Sequence, residues 1–296
     1  MSAPTAVLFD APGPKARRRT LVSSVVAGLV LLVLLVLVVV RLADRGQLDA
    51  ELWNPLVNPA DEDFPAVWQR IGAGLRVTLL GAGLAVAASL VIGLVLASLR
   101  LSLGRVARTP LVGVMELLRG LPVIVTILYT DILLRAVGAH RGPLLSLVIA
   151  LTLYNCVIIA EITRAGVQSL PKGQVEAGLA VGLTRGQVMR FVQLPQAVRA
   201  MLPALISQLV VILKDTALAS IVLTGIQDLG KIADQLSGFL DNTLQTYFVV
   251  GLIYIAMNLV LEQIAKLVQR RMSGSARSRA DVPVDQGRQV TGGQNI

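Results

Sequence analysis

The sequence predicts an all-α membrane protein with six transmembrane helices, and three observations predict it. Of 296 residues, 54% are hydrophobic and only 15% charged, whereas soluble domains carry about a quarter charged residues. Aromatics are only 4%, so Leu, Val, Ile, Ala and Gly carry the apolar surface, as in membrane helices that pack through small residues. Apolar runs near the roughly 20 residues needed to cross a bilayer recur along the chain, with basic residues beside them. The net charge of +9 therefore reads as positive-inside topology, and nucleic-acid binding is set aside. The single cysteine, Cys156, excludes an intrachain disulfide and a multi-cysteine metal site.

The first span is Leu21–Val40, preceded by Lys15, Arg17, Arg18 and Arg19 in an N-terminal segment, 1–20. It exceeds the roughly 7–15-residue apolar core of a signal peptide, so it reads as a retained helix. The loop that completes 21–66 carries Asp44, Asp49, Glu51, Asp61, Glu62 and Asp63, with Pro55, Pro59 and Pro65 against any long helix. Trp53 and Trp68 suit a membrane–water boundary. The later spans are Val67–Leu99, Leu111–Val137, Leu144–Ile162, Ala200–Leu223 and Leu244–Val268. Basic segments at the N-terminus, 100–108, 164–200 and after 269 alternate with acidic ones at 42–66 and 225–243. The link with Arg135, His140 and Arg141 is the one breach. This pattern places both termini in the cytoplasm. The tail 272–296 is too polar to pack and reads as disordered.

The polar loop 164–200 is long for a helix connection. Pro171-Lys172-Gly173 opens a helical stretch in which Val175, Leu179 and Val181 are spaced to share an apolar side. Gly182 suits a left-handed stop, and Thr184-Arg185-Gly186-Gln187 matches a capping box. Leu194-Pro195 is expected to end the second short helix, because the residue before proline disfavours helical geometry.

These residues resemble the coupling loop of ABC importer permeases, written Glu-Ala-Ala, three residues, Gly, nine residues, an aliphatic residue, one residue, Leu-Pro. Glu176-Ala177-Gly178, Gly182, Val192 and Leu194-Pro195 stand at that spacing, with Gly178 in place of the usual alanine. Further strings are similar to the polar amino acid permeases, which include histidine, arginine, glutamine and glutamate importers. They are Leu118-Arg119-Gly120-Leu121-Pro122, Ala160-Glu161 with Arg164, Gly173-Gln174, Leu194-Pro195-Gln196-Ala197 and Leu213-Lys214-Asp215-Thr216. Leu121 replaces the threonine common there and makes that entrance less polar.

The resemblance covers about 67–267 and implies a type I permease fold, a five-span core in a domain 67–271. The extra N-terminal helix resembles actinobacterial glutamate permeases. The resemblance further implies that Glu176, Ala177, Gly178, Gly182, Leu194 and Pro195 couple the chain to a separate ATPase. The small residues would allow approach, and Glu176 would cap the helix or meet a basic group on the ATPase.

Ionisable groups inside spans are costly and face the bundle or a cavity. Glu116 with Arg119, and Glu161 with Arg164, stand three apart and so share a helix face. They read as local ion pairs or as an inner gate between helices. Lys214, Asp215 and Thr216 lie about 15 residues into the fifth span, about 22 Å along the helix. Adjacent residues cannot share a face, so one of the charges pairs elsewhere or the helix is interrupted there. Thr126, Tyr129 and Asp131, and Thr152, Tyr154 and Asn155, lie at similar depth. An amino acid zwitterion needs a cation for its carboxylate and acceptors for its ammonium. Lys214 and Asp131 have that chemistry, and structural pairing accounts for them equally. His140, the single histidine, reads as a solvated loop residue.

No Gly-x-x-x-x-Gly-Lys-[Ser/Thr] phosphate loop occurs, so this chain is expected to be a transport subunit and not an enzyme. ATP and Mg are expected on the partner, with no cofactor on this chain. The expected function is import of a polar amino acid, glutamate first. The expected partners are two ATPase subunits, a second permease chain (a sister or a copy), an extracytoplasmic binding protein and membrane lipid. An ion-gradient-driven secondary transporter and a membrane scaffold or assembly protein are the alternatives.

Overall fold

The computed structural model describes residues 13–277, and every regular element among them is helical. Helix α1, Pro14–Asp44, starts with proline in its first turn, where a missing N–H costs nothing. It has no buried residue. Lys15 and the three arginines form its first turns, so the expected segment 1–20 is already helical from Pro14; residues 1–12 lie outside the described residues. The short helix α2, Ala50–Val57, carries Pro55 within it. Tryptophan and amide side chains pin this region to the bundle. Trp53 Nε1 donates to Gln47 O at 3.1 Å and Trp68 Nε1 to Leu56 O at 3.0 Å. Gln245 Nε2 donates to Gln47 O at 2.6 Å and Asn242 Nδ2 to Leu52 O at 2.9 Å.

Helix α3, Phe64–Ser102, is the spine. Its buried face repeats small residues every three or four positions: Gly74, Thr78, Ala82, Ala85, Ser89, Gly93 and Ala97. A Cβ at Gly93 would sit 2.7 Å from Ile159 Cγ2 and 2.9 Å from the Cys156 carbonyl oxygen on helix α6, Pro143–Gln168. One at Gly74 would sit 3.1 Å from the Leu229 backbone. Backbones approach this closely because small residues let van der Waals packing, which must hold membrane helices together, begin at the main chain.

The third span is not one helix. Helix α4, Arg105–Gly120, and helix α5, Val123–Ala136, meet at a 108° bend. Pro122 lacks an N–H, and its ring holds Leu121 extended (φ −83°, ψ 139°). The expected third span, Leu111–Val137, is thus broken within the membrane region, and Gly120-Leu121-Pro122 is the signal that marks the break.

Helix α7, Lys172–Ala180, is followed by α8, Arg185–Gln187, which runs through a π turn, Val188–Gln193, into α9, Leu194–Asp215. A 3-10 turn, Thr216–Leu218, and α10, Ala219–Val222, complete a 38-residue helix. The expected helix end at Leu194-Pro195 is corrected: Pro195 falls in the first turn of α9, directly after the π register shift, which removes the i→i−4 geometry its ring would obstruct.

Within the segment 225–243 lies helix α11, Leu229–Leu240. Asp228 caps it by accepting from Lys231 N at 3.0 Å, while Thr78 Oγ1 on α3 accepts from Leu229 N at 3.0 Å. Burial pushes the Asp228 carboxyl above the usual aspartate range, and the N–H groups of Lys231 and Gly230 act against it. Helix α12, Thr243–Arg277, continues past the predicted end of the sixth span, so the disordered tail does not begin at 272. Residues 278–296 lie outside the described residues. Helices α3, α5, α6, α9 and α10 enclose the central core of Ala85, Ile127, Leu147, Leu151, Ile212 and Ala219. Counting the bent pair as one crossing, six spans are long and apolar enough to traverse a bilayer.

Candidate functional site

The loop between α6 and α9 is held by its own hydrogen bonds. Gly182 takes φ +87°, and the bonds Gly182 N to Leu179 O (3.0 Å) and Leu183 N to Gly178 O (3.2 Å) close a Schellman cap. Two residues on, Gln187 N donates to Thr184 Oγ1 at 3.3 Å and Thr184 N to Gln187 Oε1 at 2.8 Å, a complete capping box. One helix therefore stops and the next starts within four residues, with local partners for the N–H groups of Gly182, Leu183, Thr184 and Gln187.

Gly178 points inward. A Cβ there would lie 2.8 Å from Val188 Cγ2, and Val188 is itself fully buried. The expectation that Gly178 serves approach by a partner is corrected, since it lets α7 lie against the π turn. Glu176 and Ala177 are exposed, and Glu176 makes no cap and no ion pair among the described residues. Val175 and Leu179 line a cavity of about 590 Å³ with Leu101, Val167, Val188 and Met189. Val181 does not join them, being 77% exposed, because the stop at Gly182 carries it off the α7 face. The exposed residues of α7 include Glu176, Ala177 and Ala180.

At the same end of the bundle, Glu161 bridges two helices. Its Oε2 accepts from Arg100 Nη1 of α3 at 2.5 Å, and its Oε1 takes Arg164 Nε at 3.0 Å. Arg100 was not singled out as a partner in the sequence, although it ends α3 at matching depth. Glu116 and Arg119 pair only with each other, at 2.6 Å, on the half-exposed side of α4.

The residues expected along a substrate path are dispersed. Asp131 is buried and binds Arg135 Nε at 2.8 Å, with His140 Nε2 3.2 Å from its other oxygen. His140 is therefore no solvated loop residue; its side chain is only 21% exposed. Thr126 is buried on the same helix, donating to Pro122 O at 3.4 Å, whereas Tyr129 points outward, 66% exposed. Asn155 is fully buried and accepts from Gln208 Nε2 of α9 at 2.7 Å, a partner the sequence reading missed. Thr152 is buried, and Tyr154 half-buried. Lys214 is exposed and Asp215 half-buried, and Thr216 donates to Leu213 O at 2.7 Å where α9 passes into the 3-10 turn. The helix is interrupted here, and Lys214 and Asp131 form no ion pair with each other.

A family model described as binding-protein-dependent transport system inner membrane component matches residues 89–274. The chain belongs to this family. Within it, the chain is a permease subunit of the polar amino acid ABC importers. The glutamate transport system permease protein GluD of Corynebacterium glutamicum is 36% identical over 264 residues, covering 86% of this chain and 94% of GluD. The glutamine transport system permease protein GlnP of Escherichia coli K12 is 33% identical over 215 residues, 71% of this chain and 97% of GlnP. An alignment with 86% of the permease must include part of residues 1–66, which one with 71% need not do. Among solved structures, an amino acid ABC transporter crystallised with histidines superposes with a TM-score of 0.63 at 30% identity. It covers 70% of the permease and 96% of that chain. A chain of the methionine transporter MetNI, at 20% identity and TM-score 0.63, shares the fold.

Proposed function

We propose that this permease imports glutamate, driven by ATP hydrolysis on two separate ATPase subunits that dock on the surface of α7 around Glu176–Pro195. Both termini lie in the cytoplasm, a placement supported by the basic segments on the α7 side. A second permease chain completes the path, and an extracytoplasmic binding protein delivers the amino acid. ATP and Mg belong to the ATPases, and this chain carries no cofactor. The observation that carries the reading is the doubly capped corner at Gly182–Gln187, which presents Glu176 and Ala177 on a rigid, outward-facing helix. Glutamate is favoured by the similarity to GluD, which extends into the N-terminal region.

Uptake of labelled glutamate into vesicles holding the permease, its ATPase and its binding protein tests this. Uptake should require internal ATP and should be displaced by glutamate before glutamine or arginine. Uptake without the ATPase under a sodium or proton gradient would establish a secondary transporter instead. Movement of no solute at all would leave a scaffold.

A further inference from the structure

Between the end of α3, the start of α4 and the end of α6 lies a cavity of about 410 Å³, lined by Arg100, Arg108, Thr109, Val112, Arg164 and Gln168. That volume is roughly a dozen times a water molecule's share of the liquid. Three arginine side chains line it, and Glu161 pairs with two of them. Both oxygens of Glu161 are already taken, one by Arg100 and one by Arg164. Arg108 has no ion pair or side-chain hydrogen bond among the described residues. Glu161 thus fixes two of the arginines in place without neutralising the third, and the cavity keeps an excess of positive charge.

Its level in the molecule limits what can fill it. Arg100 stands two residues before the end of α3 and Arg164 four before the end of α6, so the cavity opens where two membrane-crossing helices leave the bilayer. On α4, Met115 is buried and Arg108 and Val112 turn towards the cavity, while Val106, Val114 and Leu117 face outward at 88%, 57% and 67% exposure. An amphipathic helix with basic groups on one side and exposed aliphatics on the other suits the headgroup boundary. Basic pockets between spans on the cytoplasmic side are a recurring form of anionic headgroup site.

We propose that this cavity binds a phosphate-bearing anion, and that its occupant is the headgroup of an anionic phospholipid of the leaflet on the α7 side. Arg108 supplies the free cation, with Arg100 and Arg164 positioned by Glu161 as the other two donors. The site adjoins the cavity beneath α7, with which it shares Leu101 and Gln168, and the lipid holds the α3–α4 corner at the membrane surface.

The test uses the full-length chain purified in detergent and titrated with phosphatidylglycerol or phosphatidylcholine under native mass spectrometry. Phosphatidylglycerol should be retained in preference to phosphatidylcholine. Arg108→Gln should weaken its retention about fivefold, the loss expected for one basic residue at an anionic surface. Arg105→Gln, on the same helix but outside the cavity, should change it much less. Arg108 is exposed and makes no ion pair or side-chain hydrogen bond among the described residues, so its replacement should leave the fold intact. Equal effects of the two substitutions would overturn the site in favour of diffuse surface charge, and equal retention of both lipids would overturn it outright. Binding of inorganic phosphate alone, displacing the lipid, would assign the cavity to a soluble anion and refute the lipid. An Arg108→Gln chain that holds lipid normally but loses capture by its ATPase would refute it in favour of a protein contact.

Discussion

Replacing Gly178 by alanine tests the packing of the loop, because two effects of known size oppose each other there. Alanine within a helix is favoured over glycine by about 1 kcal/mol. Against this, the new Cβ would meet Val188 Cγ2 at 2.8 Å and Cγ1 at 3.4 Å. Val188 is buried and begins the π turn, and it borders the cavity beneath α7. Overpacking of this kind costs about 1–3 kcal/mol. The balance runs from nearly neutral to about 2 kcal/mol unfavourable, and its size depends on how far Val188 can move. Val188→Ala in the same chain removes the obstacle and leaves the helix-propensity gain. Gly178→Ala alone should therefore lower ATP-coupled uptake in vesicles, and the double variant should recover most of it relative to Val188→Ala. Thermal unfolding of the solubilised chain should follow the same order. If Gly178→Ala raises both uptake and stability by itself, or if Val188→Ala gives no rescue, the inward role of Gly178 is wrong.

Gly182→Ala meets no neighbouring atom, so its cost is confined to the left-handed backbone, about 1–2 kcal/mol. Uptake should fall while membrane insertion, checked by fractionation, stays normal; undiminished uptake would count against the corner's role. Gln208→Leu leaves Asn155 Oδ1 buried without its donor, which should cost about 1–3 kcal/mol of stability, measured as a drop in the Tm of the solubilised chain. Arg100→Gln removes the ion pair that links α3 to Glu161. With side chains 17% and 30% exposed, its cost should fall between the about 0–1 kcal/mol of exposed pairs and the about 3–5 of buried ones. Charge-neutral repair by Arg100→Gln with Glu161→Gln should recover part of the lost Tm.

Much of the fold was legible because the bilayer imposes long apolar runs and charge asymmetry on the sequence. The stop at Gly182 and the restart at Thr184 were readable because capping depends on residues within four positions of each other. What could not be read required knowledge across helices. Gly178 looks like a small contact residue until Val188 is seen against it. Gln208 is an isolated polar residue until α6 places Asn155 opposite. His140 sits in a polar link by sequence, yet the turn after α5 folds it back to Asp131. The break at Pro122 was legible in principle and was outweighed by the apolar run on both sides of it. The proline at 195 misled in the opposite direction, because a π turn absorbs it and no local pattern announces that register.

The π turn before Pro195 bears on how a push at the loop would travel, on the proposed ATP-driven reading. From Arg185 to Val222 the chain is one helix of 38 residues, about 57 Å at 1.5 Å per residue. Its regular part, α9, is bounded by a π turn at the loop end and a 3-10 turn beside Lys214, Asp215 and Thr216. Both are places where the hydrogen-bond register departs from the α form, and such stretches are where helices bend or hinge. Between them Ile212 and Gln208 lock α9 into the central core and onto Asn155. A displacement of α7 is transmitted through its contact with Val188 to the π turn and then along α9 as a rigid rod. It emerges at the 3-10 turn, where the polar residues of the fifth span are clustered. On that reading, the distance between those polar residues and the ATPase does not uncouple them, because the helical segment Arg185–Val222 joins the proposed docking corner to the interior of the membrane.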